Sequence, residues 1–362
     1  MPLTRPSEMS FLRLPPEVLQ QIFDQIGSSF FRGDLRRLTL CKQWFEFALP
    51  VCLKCVTLSQ DSLRGLVNSG LIKKQSSLKD SLETLDLELG GYRACISTLD
   101  HAQASNNVKV TTPDEAAALR DSLVDTWITV LDNDLGQLAI LTQESRKLRT
   151  LCIRAWSSPS LETPDNPEDY LSLPTMRALL SVDHLSVLVL DLSISFLNSS
   201  GGQGDDGCHI CPVIGALLVR LRTLHLRLRN VCPNALKPQD PSGSLRLSAV
   251  VVNLSLAMNI PGRTSAAHSK RCGSQGVGFL QLKEDMREQA EALASQMVSP
   301  KTVRVLTHSL PQFETQSLDV LTGKTMILTD DMAWDEDGKI VEEHSASESD
   351  LSDGEFAAFL DD

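Results

Sequence analysis

Leu82-Glu83-Thr84-Leu85-Asp86-Leu87-Glu88-Leu89 is the stretch on which the fold turns. Apolar Leu85, Leu87 and Leu89 alternate with acidic Asp86 and Glu88, the two-residue period of a strand that buries one face. The underlying pattern, Leu-x-x-Leu-x-Leu, returns at Leu148/Leu151/Ile153, at Leu185/Leu188/Leu190/Leu192 and at Leu221/Leu224/Leu226/Leu228. A degraded copy precedes it at Leu53/Val56/Leu58, and a looser one follows at Leu247/Val250/Val252/Leu254. The copies start 29, 66, 37, 36 and 26 residues apart, and the gap of 66 holds either a divergent repeat or an insertion.

Helical stretches precede several copies, at Pro113–Leu131, Pro174–Val182 and Pro212–Arg220. A unit of helix plus strand cannot bury its apolar face alone, so successive units stack. Residues 51–330 are therefore expected to form an irregular leucine-rich-repeat-like solenoid, a curved slab whose parallel strand face suits protein binding. The competing reading is a compact α/β domain without repeats. A final helix, Leu280–Val298, precedes strand candidates at Thr302–Leu306 and Lys324–Thr329. Proline-, glycine- and serine-rich stretches at Ser157–Glu168, Asn198–Gly207 and Pro261–Gly278 read as surface loops.

The composition is that of a soluble globular chain with an aliphatic core: 42% hydrophobic and 22% charged residues, with only 2 Tyr and 11 Phe among 362 residues. The net charge of −12 is concentrated at one end, since residues 331–362 hold 12 Asp or Glu against one Lys. The body is close to neutral and lacks the basic face of a nucleic-acid binder. The acidic segment, poor in apolar residues, is expected to be disordered. Its Ser345, Ser347, Ser349 and Ser352 suit an acidophilic kinase, and Phe356, Phe359 and Leu360 form a small amphipathic cluster. No apolar run reaches the roughly 20 residues of a membrane span. No secretory signal is read at the start, so the nine cysteines are expected as free thiols in a cytoplasmic or nuclear protein.

Residues 11–50 carry a second pattern. Leu14-Pro15-Pro16-Glu17 reads as a helix start, with proline in the first turn and an acid at the positive end of the helix. Val18, Leu19, Ile22, Phe23 and Ile26 recur at helical spacing, and Gly27 and Ser28 end the helix. Asp34 is a candidate N-cap for a second helix bearing Leu35, Leu38, Cys41, Phe45 and Ala48, with Trp44 beside the stripe and Pro50 closing it. Between them lies a Gly27–Gly33 loop with an exposed-looking Phe30-Phe31 pair. Two short helices bury too little surface to be secure alone, so the unit is expected to complete its core against a partner or the rest of the chain.

Leu14-Pro15-Pro16-Glu17-Val18-Leu19, then Ile22-Phe23, Asp34-Leu35, Leu38 and Cys41-Lys42-Gln43-Trp44, resembles an F-box. The resemblance covers about 40 residues. It implies a helical unit that packs on a Skp-family adaptor, itself bridged to a cullin scaffold, with Leu14, Pro15, Leu19, Ile22 and Leu38 as adaptor contacts. With the repeat-like body and acidic segment, the chain is similar in architecture to F-box proteins with a leucine-rich-repeat body. An ordinary two-helix cap over a repeat domain is the alternative reading of these residues.

Motifs that would signal chemistry are weak. Gly323-Lys324-Thr325 lacks the earlier glycine of a phosphate-binding loop, because that position is Leu318; a turn between strands is expected. Cys52/Cys55 fall inside an apolar segment. Cys208, His209, Cys211 and Cys232 are close enough in sequence for a local zinc site, but buried thiols and a loop histidine are the expectation, with no metal and no cofactor. Trp334–Gly338 lacks the ligands of a calcium loop. The seven His are scattered, and no nucleophile elbow occurs. The expected protein is thus an α/β adaptor rather than an enzyme, with three parts. Residues 11–50 form a helical F-box, 51–330 a repeat-like body for a protein target, and 331–362 a disordered acidic tail. Its expected function is substrate recognition in a cullin-RING ubiquitin ligase of the SCF type, without nucleic-acid or membrane partners. A non-degradative repeat scaffold is the alternative.

Overall fold

The leucine pattern lines up across one sheet. A computed structural model describes residues 14–70, 72, 76–92, 113–156, 170–192, 196–197, 209–240, 243–256, 268–273, 278–308, 314–329, 332–333, 336 and 338–340. In chain order its strands are β1 (Cys55–Ser59), β2 (Thr84–Leu89), β3 (Thr150–Ala155), β4 (Leu171–Ser172), β5 (Val187–Leu192), β6 (Phe196–Leu197) and β7 (Thr223–Leu228). There follow β8 (Asn230–Val231), β9 (Ala249–Asn253), β10 (Lys270–Arg271), β11 (Thr302–His308), β12 (Thr315–Asp319), β13 (Thr325–Leu328) and β14 (Lys339–Ile340).

A 10-stranded sheet runs β1-β2-β3-β5-β7-β9-β11-β12-β13-β14. The pairs from β1 to β11 are parallel, and the last three strands fold back antiparallel. Chain order and sheet order coincide, so each unit pairs with the one before it. Register aligns Val56, Leu85, Leu151, Leu188, Leu224, Val250 and Val303 in one row, and Leu58, Leu87, Ile153, Leu190, Leu226, Val252 and Val305 in the next. All but Val56 are buried, and they pack under the helices as a single core. Each fully buried leucine removes enough apolar surface from water to contribute about 2 kcal/mol.

A backbone device repeats with the same spacing. The residue before each parallel strand offers its carbonyl to two N–H groups of the next unit. Lys54 O accepts from Glu83 N and Thr84 N, both at 2.8 Å; Glu83 O accepts from Arg149 N and Thr150 N; and Arg149 O accepts from Ser186 N and Val187 N. Ser186, Arg222 and Ser248 continue the series, the last accepting from Lys301 N and Thr302 N. Seven strand starts are thereby locked at one level, and Thr302–His308 becomes a seventh parallel strand beyond the six leucine copies read from sequence.

Several expectations change. The gap of 66 residues is an insertion, because β2 pairs directly with β3 and the described part of the gap is mainly one long helix, Pro113–Glu144. That helix runs well past Leu131, because Leu131, Leu135, Leu138 and Leu141 keep an apolar stripe on the core. The body does not stop at residue 330: Ile340 and Lys339 pair with Met326 and Ile327. The rest of the acidic segment, from 341, and the loop stretches 157–168 and 198–207 lie outside the described residues, as does most of 261–278. Among the described residues, no helix is long and apolar enough to cross a membrane.

Candidate functional site

The N-terminal unit begins as its sequence dictates. Pro16 opens a helix, Pro16–Ile26, with Glu17 in its first turn, and Gly27 ends it at φ +80°, a conformation that favours glycine. The expected loop after it is instead a short helix, Ser28–Gly33, which buries Phe31 and leaves Phe30 41% exposed. Asp34 does cap: its side chain accepts from Arg36 N at 3.0 Å and starts a 3-10 turn, Leu35–Leu38. The expected second helix is thus split. Its main part, Lys42–Leu53, starts where Cys41 Sγ accepts from Trp44 N, and it continues through Pro50.

Leu19, Phe23, Phe31, Leu38, Ala48, Val51 and Cys52 close a small core separate from that of the sheet. Trp44 lies edge-on to Phe23 with ring centres 4.6 Å apart, and its indole N–H donates to Arg37 O. Of the five adaptor contacts implied by resemblance, Leu14 and Pro15 are exposed and Ile22 is half-buried, whereas Leu19 and Leu38 lie in this interior. The latter two hold the unit together, and any partner meets other side chains. Six large apolar residues remain exposed within residues 14–45: Leu14, Val18, Phe30, Leu35, Leu40 and Phe45, at 39 to 68%. Those six are nearly half of the 13 exposed large hydrophobic residues among the described residues, so apolar exposure is concentrated on this unit.

One residue of the chain separates the unit from the sheet, and side-chain bonds cross beside it. Lys54, between the helix and β1, binds Asp24 at 2.9 Å and Glu83 at 3.7 Å. The Asp24 contact, followed by Glu83, holds the ammonium charged and raises its pKa. Arg32 Nη1 donates to Thr57 Oγ1 at 3.1 Å.

On the sheet face away from the helices, charged residues alternate with the leucines. Arg154 bridges Asp86 at 2.7 Å and Glu88 at 3.7 Å, and Arg227 forms a bidentate pair with Asp191 at 2.6 Å on both arms. On the same strand as Arg154 and opposite Asp86, Cys152 has its pKa pushed up to about 11, first by burial and then by the Asp86 charge. At the far end, Val251, Leu306, Leu328 and Met332 close over this face, and Arg304 Nη1 donates to Glu336 O at 2.9 Å. The open, half-exposed part of the face therefore spans β1 to β7.

The cysteine and glycine motifs resolve differently. Gly323, at φ +70°, sits in the hairpin between β12 and β13, where Asp319 accepts from Thr322 Oγ1 at 2.7 Å; this is the expected turn. Cys52 is buried in the N-terminal core and Cys55 starts β1. Cys211 and Cys232 are buried thiols, as expected. His209, Cys211 and Cys232 converge with Cys272, which falls in the stretch 261–278 expected to be a surface loop, while Cys208 lies outside the described residues. No spacing in the sequence links Cys272 to the other three; the strand pairing does. Cys232 directly follows β8 and Cys272 directly follows β10, and β8 and β10 pair in parallel. Trp334, Asp335 and Asp337 of the dismissed calcium loop lie outside the described residues.

No protein-family model matches the chain, and no curated protein matches it significantly.

Proposed function

We propose that the chain is a non-enzymatic substrate receptor of a cullin-RING ubiquitin ligase of the SCF type. The N-terminal helical unit is an F-box that docks on a Skp-family adaptor, and the sheet with its helices is a leucine-rich-repeat-like body that holds a protein target. The observation that carries this reading is the concentration of exposed Leu14, Val18, Leu35, Leu40 and Phe45 on a unit with only a seven-residue core. Isolated apolar residues are normal on any surface, but a group of them on one small element marks a binding face. The recurrent carbonyl device and the aligned leucine rows support the repeat reading of the body. Tethering raises the effective concentration of target lysines near a charged ubiquitin carrier, so the receptor needs no catalytic residues of its own.

The test is co-expression of the full chain with a Skp-family adaptor, comparing wild type with Leu14→Ala/Pro15→Ala/Ile22→Ala. Wild type is expected to co-purify with adaptor and cullin, and the variant to lose both while keeping its far-UV circular dichroism. Equal capture by the variant refutes the docking face. Capture of adaptor without cullin refutes the ligase assignment.

A further inference from the structure

Three thiols and one imidazole meet on the flank of the body, brought there by three separate chain segments. His209 and Cys211 stand at the start of the helix Cys211–Leu217, Cys232 precedes the 3-10 turn Pro233–Leu236, and Cys272 follows β10. Their ligand atoms all lie within 4.8 Å of one another. Cys211 and Cys232 are buried, and His209 and Cys272 are half-buried. We propose that His209, Cys211, Cys232 and Cys272 bind one zinc ion as a closed structural site.

The geometry fits that ion. With Zn–S near 2.3 Å, a tetrahedron has S–S edges of roughly 3.8 Å and S–N edges of about 3.6 Å. Cys211 Sγ and Cys272 Sγ are 3.8 Å apart, and Cys232 Sγ and His209 Nδ1 are 3.9 Å apart. A disulfide would need the first pair near 2.05 Å, so the thiols stand at the spacing of shared ligands and not of a bond. Three sulfurs and one imidazole nitrogen select zinc over the hard cations calcium and magnesium, and four protein ligands leave no open position for a reacting water. Binding releases three thiol protons and leaves a site of net charge −1, two positive charges against three thiolates. The backbone of Asn234, which hydrogen-bonds Cys232, supplies outer support.

The ion clips one repeat to the next. β8 and β10 are two residues each and cannot hold their segments alone, yet Cys232 and Cys272 leave them side by side. The helix bearing Cys211 presses so closely on the Cys232 segment that Gly215 has no room for a side chain: a Cβ there would lie 2.5 Å from the carbonyl oxygens of Asn234 and Lys237. One zinc thus ties the helix start, the 3-10 turn and the β10 strand, elements that are remote in sequence. The inference is independent of adaptor binding.

Elemental analysis of the full chain, purified without chelator and equilibrated against buffered zinc, is expected to give one zinc per chain. X-ray absorption at the zinc edge is expected to report three sulfurs and one nitrogen. Cys232→Ser and Cys272→Ser should each lose the bound zinc, whereas Cys152→Ser, outside the cluster, should retain it. The absorption spectrum of wild type decides the matter even if the serine variants fail to fold. A wild-type chain without zinc, or with iron or copper in its place, overturns the proposal. So does zinc held only by oxygen and nitrogen, or a Cys211–Cys272 disulfide in intact-mass analysis.

Discussion

Lys54 Nζ lies 2.9 Å from Asp24 Oδ1, joining the one residue between the N-terminal unit and the sheet to the first helix of that unit. Both side chains are about a third exposed, so the pair is worth at most about 1 kcal/mol and is screened by salt. A double-mutant cycle with Lys54→Met and Asp24→Asn should give a coupling of roughly 0.2–1 kcal/mol at low ionic strength, fading in 1 M salt. A coupling that survives high salt would mean that the junction is held by something other than this charge pair.

Leu19 and Leu35 should separate folding from docking. Leu19 is fully buried, and its truncation to alanine should cost about 2–5 kcal/mol in denaturant unfolding. Leu35 is 62% exposed, and Leu35→Ala should change stability by no more than about 0.5 kcal/mol. Adaptor capture should nevertheless fall for Leu35→Ala. If it falls only for Leu19→Ala, the exposed residues are not the contact.

Gly215→Ala inverts an ordinary rule. In an exposed helix interior this change stabilises by about 1 kcal/mol, because alanine is the better helix former. Here the new methyl would meet two backbone carbonyls at 2.5 Å, and neither can swing aside as a flexible side chain would. The expected outcome is a loss of about 1–3 kcal/mol, read from chemical denaturation. A gain would show that the helix and the 3-10 turn can slide apart.

His268 makes the fold sensitive to acid. Its ring stacks on Phe279 at 3.9 Å, and neither ring nitrogen has a hydrogen-bond partner among the described residues. Burial first, then the nearby His308 and Lys283, push its pKa down from 6.5 to about 4. The unfolded chain therefore binds this proton first as pH falls. Stability from the neutral ring is complete above 6.5 and is lost as pH drops toward 4. Between pH 7.5 and 5, wild type should lose roughly 2 kcal/mol more than His268→Phe. Parallel losses in the two proteins would place the acid sensitivity elsewhere.

The strand pattern was legible because a two-residue period with leucine on one face has a single solution, and Leu85, Leu151, Leu188 and Leu224 do share a row. The Thr302 strand is legible as a strand but not as a further unit, since valines replace leucines there and 52 residues lie between Ser248 and Lys301. The second N-terminal helix differs from its sequence pattern at both ends. Cys41 caps through sulfur, a weak acceptor that sequence rules pass over, and Pro50 lies inside the helix instead of ending it. The last turn persists because Val51 and Cys52 are buried, and packing offsets the lost hydrogen bond. The four-residue cluster was only half legible, because the distance between Cys232 and Cys272 in sequence says nothing until β8 and β10 are known to pair.

Parallel strands all point the same way, so whatever leaves their ends leaves on the same side. The chain departs the carboxyl ends of β2, β3, β5 and β9 at residues 89, 155, 192 and 253, and it is there that the units differ most in length. Unequal connections along a shared margin let the units differ there without disturbing the leucine rows. Related chains should therefore diversify along that margin first, and keep the interior constant.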